Sequence, residues 1–535
     1  MGANSASEGF LRAYLRYSGE RVFHAIVDSQ EAVNSFAREV KEYSSLPNAE
    51  VRIYPAAMTS AFAEVGGIFN LQPLLDHQAW QRQWEGASKY SIIGITHTTC
   101  TQTVMDAIGQ LLIAPLQPWD ALICTSHSVK STVEQVWDNW FSYLSDRLGA
   151  QRKPVVELPI IPLGVDCDQY DRVNDDPGHR EKLRTQLGID HDDVAFLFFG
   201  RLSFHAKANP FPMYRALEET ARRSRRRIHL ILAGWFANES IENQFRRAAE
   251  QVCPSVRIIV VDGRKPEVKR EIWNAADVFT SLSDNIQETF GLTPVEAMAA
   301  GLPSVISDWD GYRDTVRNGV EGFRIPTTIG SAGDGDIFIR RHFENIDDYD
   351  RYVAHLSHFI AVDIPKTIEA YTTLCENAEL RSVMGAAAKC RAREVFDWRE
   401  IIRRYQDLWS ELKHRRSAAT QVPTSSPGMP HPLRVDPFRL FSEYATTQLA
   451  AHTQLTLGLA TNASELSRLY QSPYLVYLKH PGFLPSIDEC QQVLSIVGHG
   501  GKTVEELMGS FPENRQQVVR RGLVWMLKVG LLQCL

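Results

Sequence analysis

The chain has 535 residues, 44% hydrophobic and 23% charged, with a formal net charge of −7 and a pI near 6.2. Such a length suggests about three domains with large cores, and the composition is that of a soluble globular protein. The acidic balance argues against general nucleic-acid binding, which draws on a basic surface.

No apolar run approaches the roughly 18–20 residues of a membrane span. The first 16 residues lack the basic start, apolar core and cleavage site of a signal peptide, so a cytoplasmic location is expected. Eight cysteines are scattered with no CxxC and no Cys/His cluster. Buried free thiols, not a zinc site, are the expectation.

In chain order, strands are predicted at 22–27, 51–54, 90–96, 121–125 and 155–161, with helical patterns at 30–43, 101–113 and 129–144. The segment Ile95-Thr-His-Thr-Thr-Cys100 closes one of these strands, and His97 would project into a cleft there. A lone histidine is as readily a satisfied structural residue. Residues 161–166 (IPLGVD) read as a connector, because Pro and Gly break both periodicities. A second half follows with strands at 194–199, 228–232, 256–261, 278–282, 304–307 and 322–325. Alternating βα units imply parallel sheets with helices on both faces, and ligands beyond the carboxyl ends of the strands. Residues 399–416 form an amphipathic helix whose stripe is Ile401, Ile402, Tyr405, Leu408, Trp409 and Leu412. Residues 417–434 are rich in Ser, Thr and Pro and read as a linker. Residues 435–535 read as a separate helical unit, with a helix, a turn and a longer helix over 502–532 that look like half of a winged helix.

The richest stretch is 284–303, DNIQETFGLTPVEAMAAGLP. Thr293, Pro294 and Glu296 have the order of a capping box with proline at the first helical position. The helix should stop at Gly301 and Pro303. Unpaired N–H groups at its start favour an anion, and Gly291 lets a ligand approach the backbone. Glu288 and Glu296 flank this turn. Their bland alternatives are a solvated loop carboxylate and a simple cap. Upstream, Arg201 and Lys207 leave the end of the 194–199 strand six positions apart. Two such cations facing a helix start would clamp a diphosphate, Arg by its planar fork and Lys as a point charge. Trp235 and Phe236 could stack on a base or merely pack, and packing is favoured. The run Arg222-Arg-Ser-Arg-Arg-Arg227 reads as a solvated helix end.

Together these landmarks make the chain resemble the retaining glycosyltransferases of family four, which have the GT-B architecture. The landmarks are Glu288-x7-Glu296, Phe290-Gly-Leu292, Glu296-Ala-Met-Ala-Ala-Gly-Leu-Pro303, Gly200-Arg201 with Lys207, and Ile161-Pro-Leu-Gly-Val-Asp166. The resemblance spans about residues 1–416. It implies an α/β fold of two Rossmann-like doubly wound domains facing across a cleft. Residues 1–165 would form the acceptor side, 166–398 the donor-binding domain, 399–416 a helix crossing back to the first domain, and 435–535 the added helical unit. It implies that Glu296 binds ribose hydroxyls and Glu288 hydroxyls of the donor sugar. Arg201 and Lys207 would hold the diphosphate with backbone N–H groups near Phe290, Gly291 and Leu292, and His97 would lie beside the transferred sugar. The implied catalytic set is His97, Arg201, Lys207 and Glu288. No cofactor and no metal is implied, since the nucleotide-sugar is a substrate and two cations with a helix start do a metal's electrostatic work.

The chain also departs from that pattern. The family opens with a strand and a glycine-rich loop; here residues 1–9 (MGANSASEG) look like the loop itself, and the opening strand is not visible. Asp310 and Gly311 could approach the donor or serve a cap. Residues 331–364 are longer than the family's usual segment and have no assigned role.

The expected partners are a nucleoside-diphosphate sugar and an unidentified acceptor, with no nucleic acid, no transmembrane segment and peripheral membrane contact left open. The C-terminal unit would serve protein contacts or dimerisation. Two other readings compete: a sugar-nucleotide-binding scaffold that has lost transfer, and a regulator that binds DNA through the C-terminal unit. Near-cancelling charges over 502–528 disfavour the regulator.

Overall fold

A computed structural model describes residues 2–56, 58–174, 178–419, 431–459, 463–478, 482–498 and 500–535. The chain divides into two compact units, Met1–His431 and Pro432–Leu535. Most of the expected linker, 420–430, lies outside the described residues.

In the first unit, β1 (Val22–Ile26) pairs in parallel with β2 (Glu50–Tyr54), and β3 (Gly67–Phe69), β4 (Ser91–Ile95) and β5 (Ala121–Ile123) form a second parallel sheet in that order. The strand expected at 155–161 is reduced to isolated bridges from Glu157 to Ala121 and from Ile160 to Cys124. Pro154, Pro159 and Pro162 explain this, because proline has no N–H to give to a ladder.

The chain's start is a correction. Residues read as a glycine-rich loop belong to a helix, Gly2–Tyr17. Ala6, Phe10 and Ala13 recur at i, i+4 and i+7 and are buried, which is a helical stripe. The stripe meets the amphipathic helix Trp398–Ala418, with the Phe10 ring 4.8 Å from Tyr405 and the Tyr14 ring 5.7 Å from Trp409. The same long helix sends Arg416 to the Gly66 carbonyl and Arg415 to Glu157. The connector passes over Trp398 so closely that a Cβ on Gly164 would stand 2.5 Å from the indole.

The second half contains one continuous parallel sheet. It consists of β6 (Val194–Leu202), β7 (Ile228–Phe236), β8 (Arg257–Asp262), β9 (Val278–Ser281), β10 (Ser304–Ser307) and β11 (Gly322–Ile325), ordered β11-β10-β9-β6-β7-β8. Alternation along β6 sends Phe196 and Phe198 into one apolar layer and Ala195 and Leu197 into the other. The chain builds β6 to β8 in one direction and β9 to β11 in the other. A crevice therefore opens between the carboxyl ends of β6 and β9, where ligands of open α/β sheets bind. After β11, β12 (Thr327–Ile329) pairs antiparallel with β13 (Ile360–Val362). The unassigned stretch between them folds into two helices, Asp336–Phe343 and Tyr349–Ser357.

The second unit is not purely helical. Strands β14 (Gln454–Leu457), β15 (Lys502–Thr503) and β16 (Leu532–Cys534) form an antiparallel sheet in the order β15-β14-β16. Helices Ile487–Val497 and Val504–Met508 begin with capping boxes, Ser486 with Glu489 and Thr503 with Glu506. Together with Glu513–Lys528 they enclose a core that includes Val493, Leu507, Val519 and Leu523.

Candidate active site

The expected site residues of the second half gather at that crevice. β6 continues to Leu202, so Arg201 is a strand residue in register with Trp235 of β7. The two strands approach closely here, because a Cβ on Gly234 would meet the Gly200 carbonyl at 2.0 Å. Arg201 Nη2 donates to the side-chain oxygen of Gln287 at 2.9 Å and to the Ala206 carbonyl at 3.1 Å. Lys207 pairs directly with the Glu288 carboxylate. Burial works against the Lys207 charge, and Glu288 more than offsets it, so the ammonium titrates well above the usual lysine range. The two cations are thus not free arms reaching from a loop, as the sequence suggested. Each is held by the residue pair that follows β9.

The turn itself differs from expectation. The helix starts at Leu292, its N-cap is Gly291 with φ 99°, and no side chain caps it. Thr293 sits inside the first turn, so the predicted capping box does not form and Glu296 is released from that duty. Gly291 is required on two counts: its backbone is left-handed, and a Cβ would stand 2.4 Å from the Tyr312 ring. On the other side, a Cβ on Gly311 would lie 2.3 Å from Phe290 Cα. The loops after β9 and β10 therefore interlock, and uncapped helical N–H groups remain at their junction. The Phe290 ring is 1% exposed and lies 6.0 Å from the Phe396 ring. Its side chain is core, and only backbone is left to offer a ligand. Leu292 is half-buried at the start of the helix.

Glu296, like Glu288, is half-buried. Burial pushes its carboxyl up to about 7, while Lys269, Lys207 and the Tyr170 hydroxyl pull the other way. Asp310 adopts a left-handed φ of 44°, and its Oδ1 is enclosed without a hydrogen-bond partner. Burial, then the Glu288 charge, raise its carboxyl well above the ordinary range. Three carboxyl groups thus crowd a site in which Lys207 neutralises one.

From the first half, His97 joins this cluster on the loop after β4. Its backbone carbonyl accepts from Thr289 Oγ1 at 3.1 Å, directly between Glu288 and Phe290. The Thr289 carbonyl in turn accepts from Ser126 Oγ at 2.9 Å. Burial lowers the His97 pKa to about 4, and its Nε2 is enclosed without a partner. A neutral imidazole with an unused ring nitrogen therefore stands beside the Glu288 segment.

All eight residues singled out from the sequence fall in this one region. Gln287, Tyr312 and Tyr349 were not foreseen. Gln287 sits inside the motif and Tyr312 follows Gly311, so spacing offered a weak signal for both. Tyr349 lies on the unassigned stretch and had none. Phe236 packs on Phe245 at 5.5 Å, in keeping with the packing alternative. In the basic run, Arg222 pairs with Glu218 and Glu219, which leaves a surface helix end. A cavity of about 320 Å³ lined by Arg180, Trp273 and Arg381 opens at the opposite, amino ends of the strands and holds none of the eight.

Residues 179–332 match the family of glycosyl transferases group 1. This segment contains β6 to β12 and with them Arg201, Lys207, Glu288 and Glu296, so the resemblance carried by those motifs holds at family level for the segment. Among relatives, the D-inositol 3-phosphate glycosyltransferase of Geodermatophilus obscurus is 31% identical over 183 residues, 34% of this chain and 38% of that one. The lipopolysaccharide 1,2-N-acetylglucosaminetransferase of Salmonella typhimurium is 25% identical over 187 residues, 34% and 46% of the two chains. The chain thus spans less than half the length of these curated relatives. Among solved structures, Anabaena HepE in complex with UDP superposes with a TM-score of 0.49 at 16% identity, over 77% of this chain and 96% of that one. The sucrose-phosphate synthase of Thermosynechococcus elongatus gives 0.42 at 15%, over 73% and 81%.

Proposed function

We propose that the chain is a glycosyltransferase of GT-B architecture that moves a sugar from a nucleoside-diphosphate sugar to an acceptor with retention of anomeric configuration. One observation carries this reading: Arg201, Lys207, Glu288 and Glu296 converge on an uncapped helix start at the switch point of a parallel sheet. The helix start and the two cations suit a diphosphate. Glu296 suits ribose hydroxyls and Glu288 those of the sugar. In the reaction the acceptor oxygen bonds to the anomeric carbon on the face that the diphosphate leaves. The carbon–phosphate-oxygen bond breaks, and the acceptor proton passes to the departing phosphate. Arg201 and Lys207 stabilise the negative charge that grows on that phosphate, without a metal ion. His97, neutral, orients the sugar from the first half. The C-terminal unit, read as winged-helix-like, serves protein contacts.

The test is a thermal-shift screen across nucleotide-sugars, followed by assay of nucleoside-diphosphate release from those that raise Tm. Release that disappears in Glu296→Ala while circular dichroism is unchanged supports the reading. Stabilisation by a donor with no release, even at long times and with added acceptors, replaces it with the scaffold reading.

A further inference from the structure

The stretch between β12 and β13 reaches across the cleft. Tyr349, the first residue of its second helix, places its hydroxyl 2.8 Å from Gln287 Nε2 and 3.1 Å from Cys100 Sγ. Gln287 is the residue that receives Arg201, and Cys100 ends the loop that carries His97. A second tie joins the same two regions, Gln102 Nε2 donating to the His342 carbonyl at 3.3 Å.

The orientation of the Gln287 amide is fixed from one end. A guanidinium only donates, so Gln287 must turn its oxygen to Arg201 and its NH₂ to Tyr349. The Tyr349 oxygen then accepts from Gln287, and a hydrogen bond in which either atom can donate joins it to the Cys100 sulfur. The same sulfur lies 3.4 Å from Thr98 Oγ1. Burial keeps the phenol protonated, with its pKa pushed above the usual tyrosine range. One hydroxyl thus touches both the side chain behind Arg201 and the loop that carries His97.

We propose that Tyr349 is a positioning residue: it couples Arg201 in the donor half to the His97–Cys100 loop in the acceptor half and holds the two at reacting distance. The inference rests on the transferase reading for its kinetic consequence, but the bridge itself can be tested without turnover. Cys100 is buried beneath Tyr349, whereas Cys390 and Cys534 are exposed and serve as internal standards for thiol accessibility.

The experiment compares the full-length chain with Tyr349→Phe and Tyr349→Ala. Native alkylation of Cys100 by iodoacetamide, followed by peptide mass spectrometry, should speed up at least about fivefold in Tyr349→Ala relative to Cys390 and Cys534. Nucleoside-diphosphate release by Tyr349→Phe should show kcat lowered by about tenfold or more, with donor KM within about threefold and Tm unchanged, because a small misplacement affects chemistry more than binding. Cys100→Ser, which retains an acceptor for the phenol, should keep most of the kcat. Unchanged Cys100 reactivity in Tyr349→Ala overturns the bridge. Faster alkylation with an unchanged Tyr349→Phe kcat, or with kcat falling only in step with Tm, overturns the positioning role. A wild type that releases no nucleoside diphosphate overturns the transferase reading, and the alkylation result then still decides the bridge.

Discussion

The two halves of the first unit each contain an ion pair close to a sheet, and the two pairs are built for opposite ends. In the first half, Arg82 and Asp120 are fully buried. Arg82 grips both carboxylate oxygens at 2.6 Å and adds the carbonyls of Tyr90 and Pro115, while Asp120 also accepts from the N–H groups of Ile92 and Gln117. In the second half, Lys207 and Glu288 remain 22% and 14% exposed, and among the described residues neither side chain has a second hydrogen-bond partner. A fully buried pair whose carboxylate accepts four hydrogen bonds fixes a fold. A half-satisfied pair at a crevice keeps donors and acceptors in reserve for a ligand. The same chemistry is structural in one half and available in the other, and the difference lies in what surrounds it.

Removing one partner of each pair separates the two roles. Arg82→Ala should give the largest loss of stability, about 3–5 kcal/mol, because Asp120 stays buried without its counterion. Donor affinity of the molecules that remain folded should be unchanged, as read by urea unfolding beside calorimetric titration. Lys207→Ala should shift stability by less than about 1 kcal/mol, yet lower donor turnover by about 10²-fold or more if, as proposed, its charge acts on the leaving diphosphate. A Lys207→Ala protein that unfolds readily but retains turnover would reverse the comparison.

The smallest effect is electrostatic. Folded Glu296 titrates near 7, above its ordinary 4.5. Between those values the folded state holds more protons than the unfolded one, so this group makes stability fall as pH rises through the window. Asp284, pushed up to about 7 by burial, acts in the same direction. His97, lowered to about 4, acts in the opposite sense, adding stability as pH rises from about 4 to 6.5. The clean measurement is therefore Glu296→Gln minus wild type. The two should coincide near pH 4.5, and the variant should be more stable by about 1–2 kcal/mol at pH 8, allowing for the partial exposure of the site. A difference independent of pH would show that Glu296 ionises normally.

The second half was the more legible of the two. Its central strands β6 and β7 are long, mainly buried apolar runs, and a strand buried on both faces announces itself locally. The first half hid more. Proline broke the 155–161 strand into single bridges, and the helical stripe of Ala6, Phe10 and Ala13 was masked by the Gly, Ser and Asn around it. The capping box misled for a local reason as well. Thr293, Pro294 and Glu296 fit the cap pattern, but the Tyr312 ring against Gly291 sets the helix start two residues earlier. Tyr349 left no trace, since its role depends on contacts with Cys100 and Gln287, distant in the chain.

The sequence by itself determined the alternation of strands and helices in the second half and the residue types able to hold a diphosphate and sugar hydroxyls, because periodicity and motif spacing are properties of neighbours along the chain. Only the tertiary structure decided that Lys207 rests on Glu288, that partial burial raises the Glu296 carboxyl, and that the stretch after β12 ties the two halves together. Those outcomes depend on burial and on pairs brought together by folding, and both are set by the packing of the whole unit.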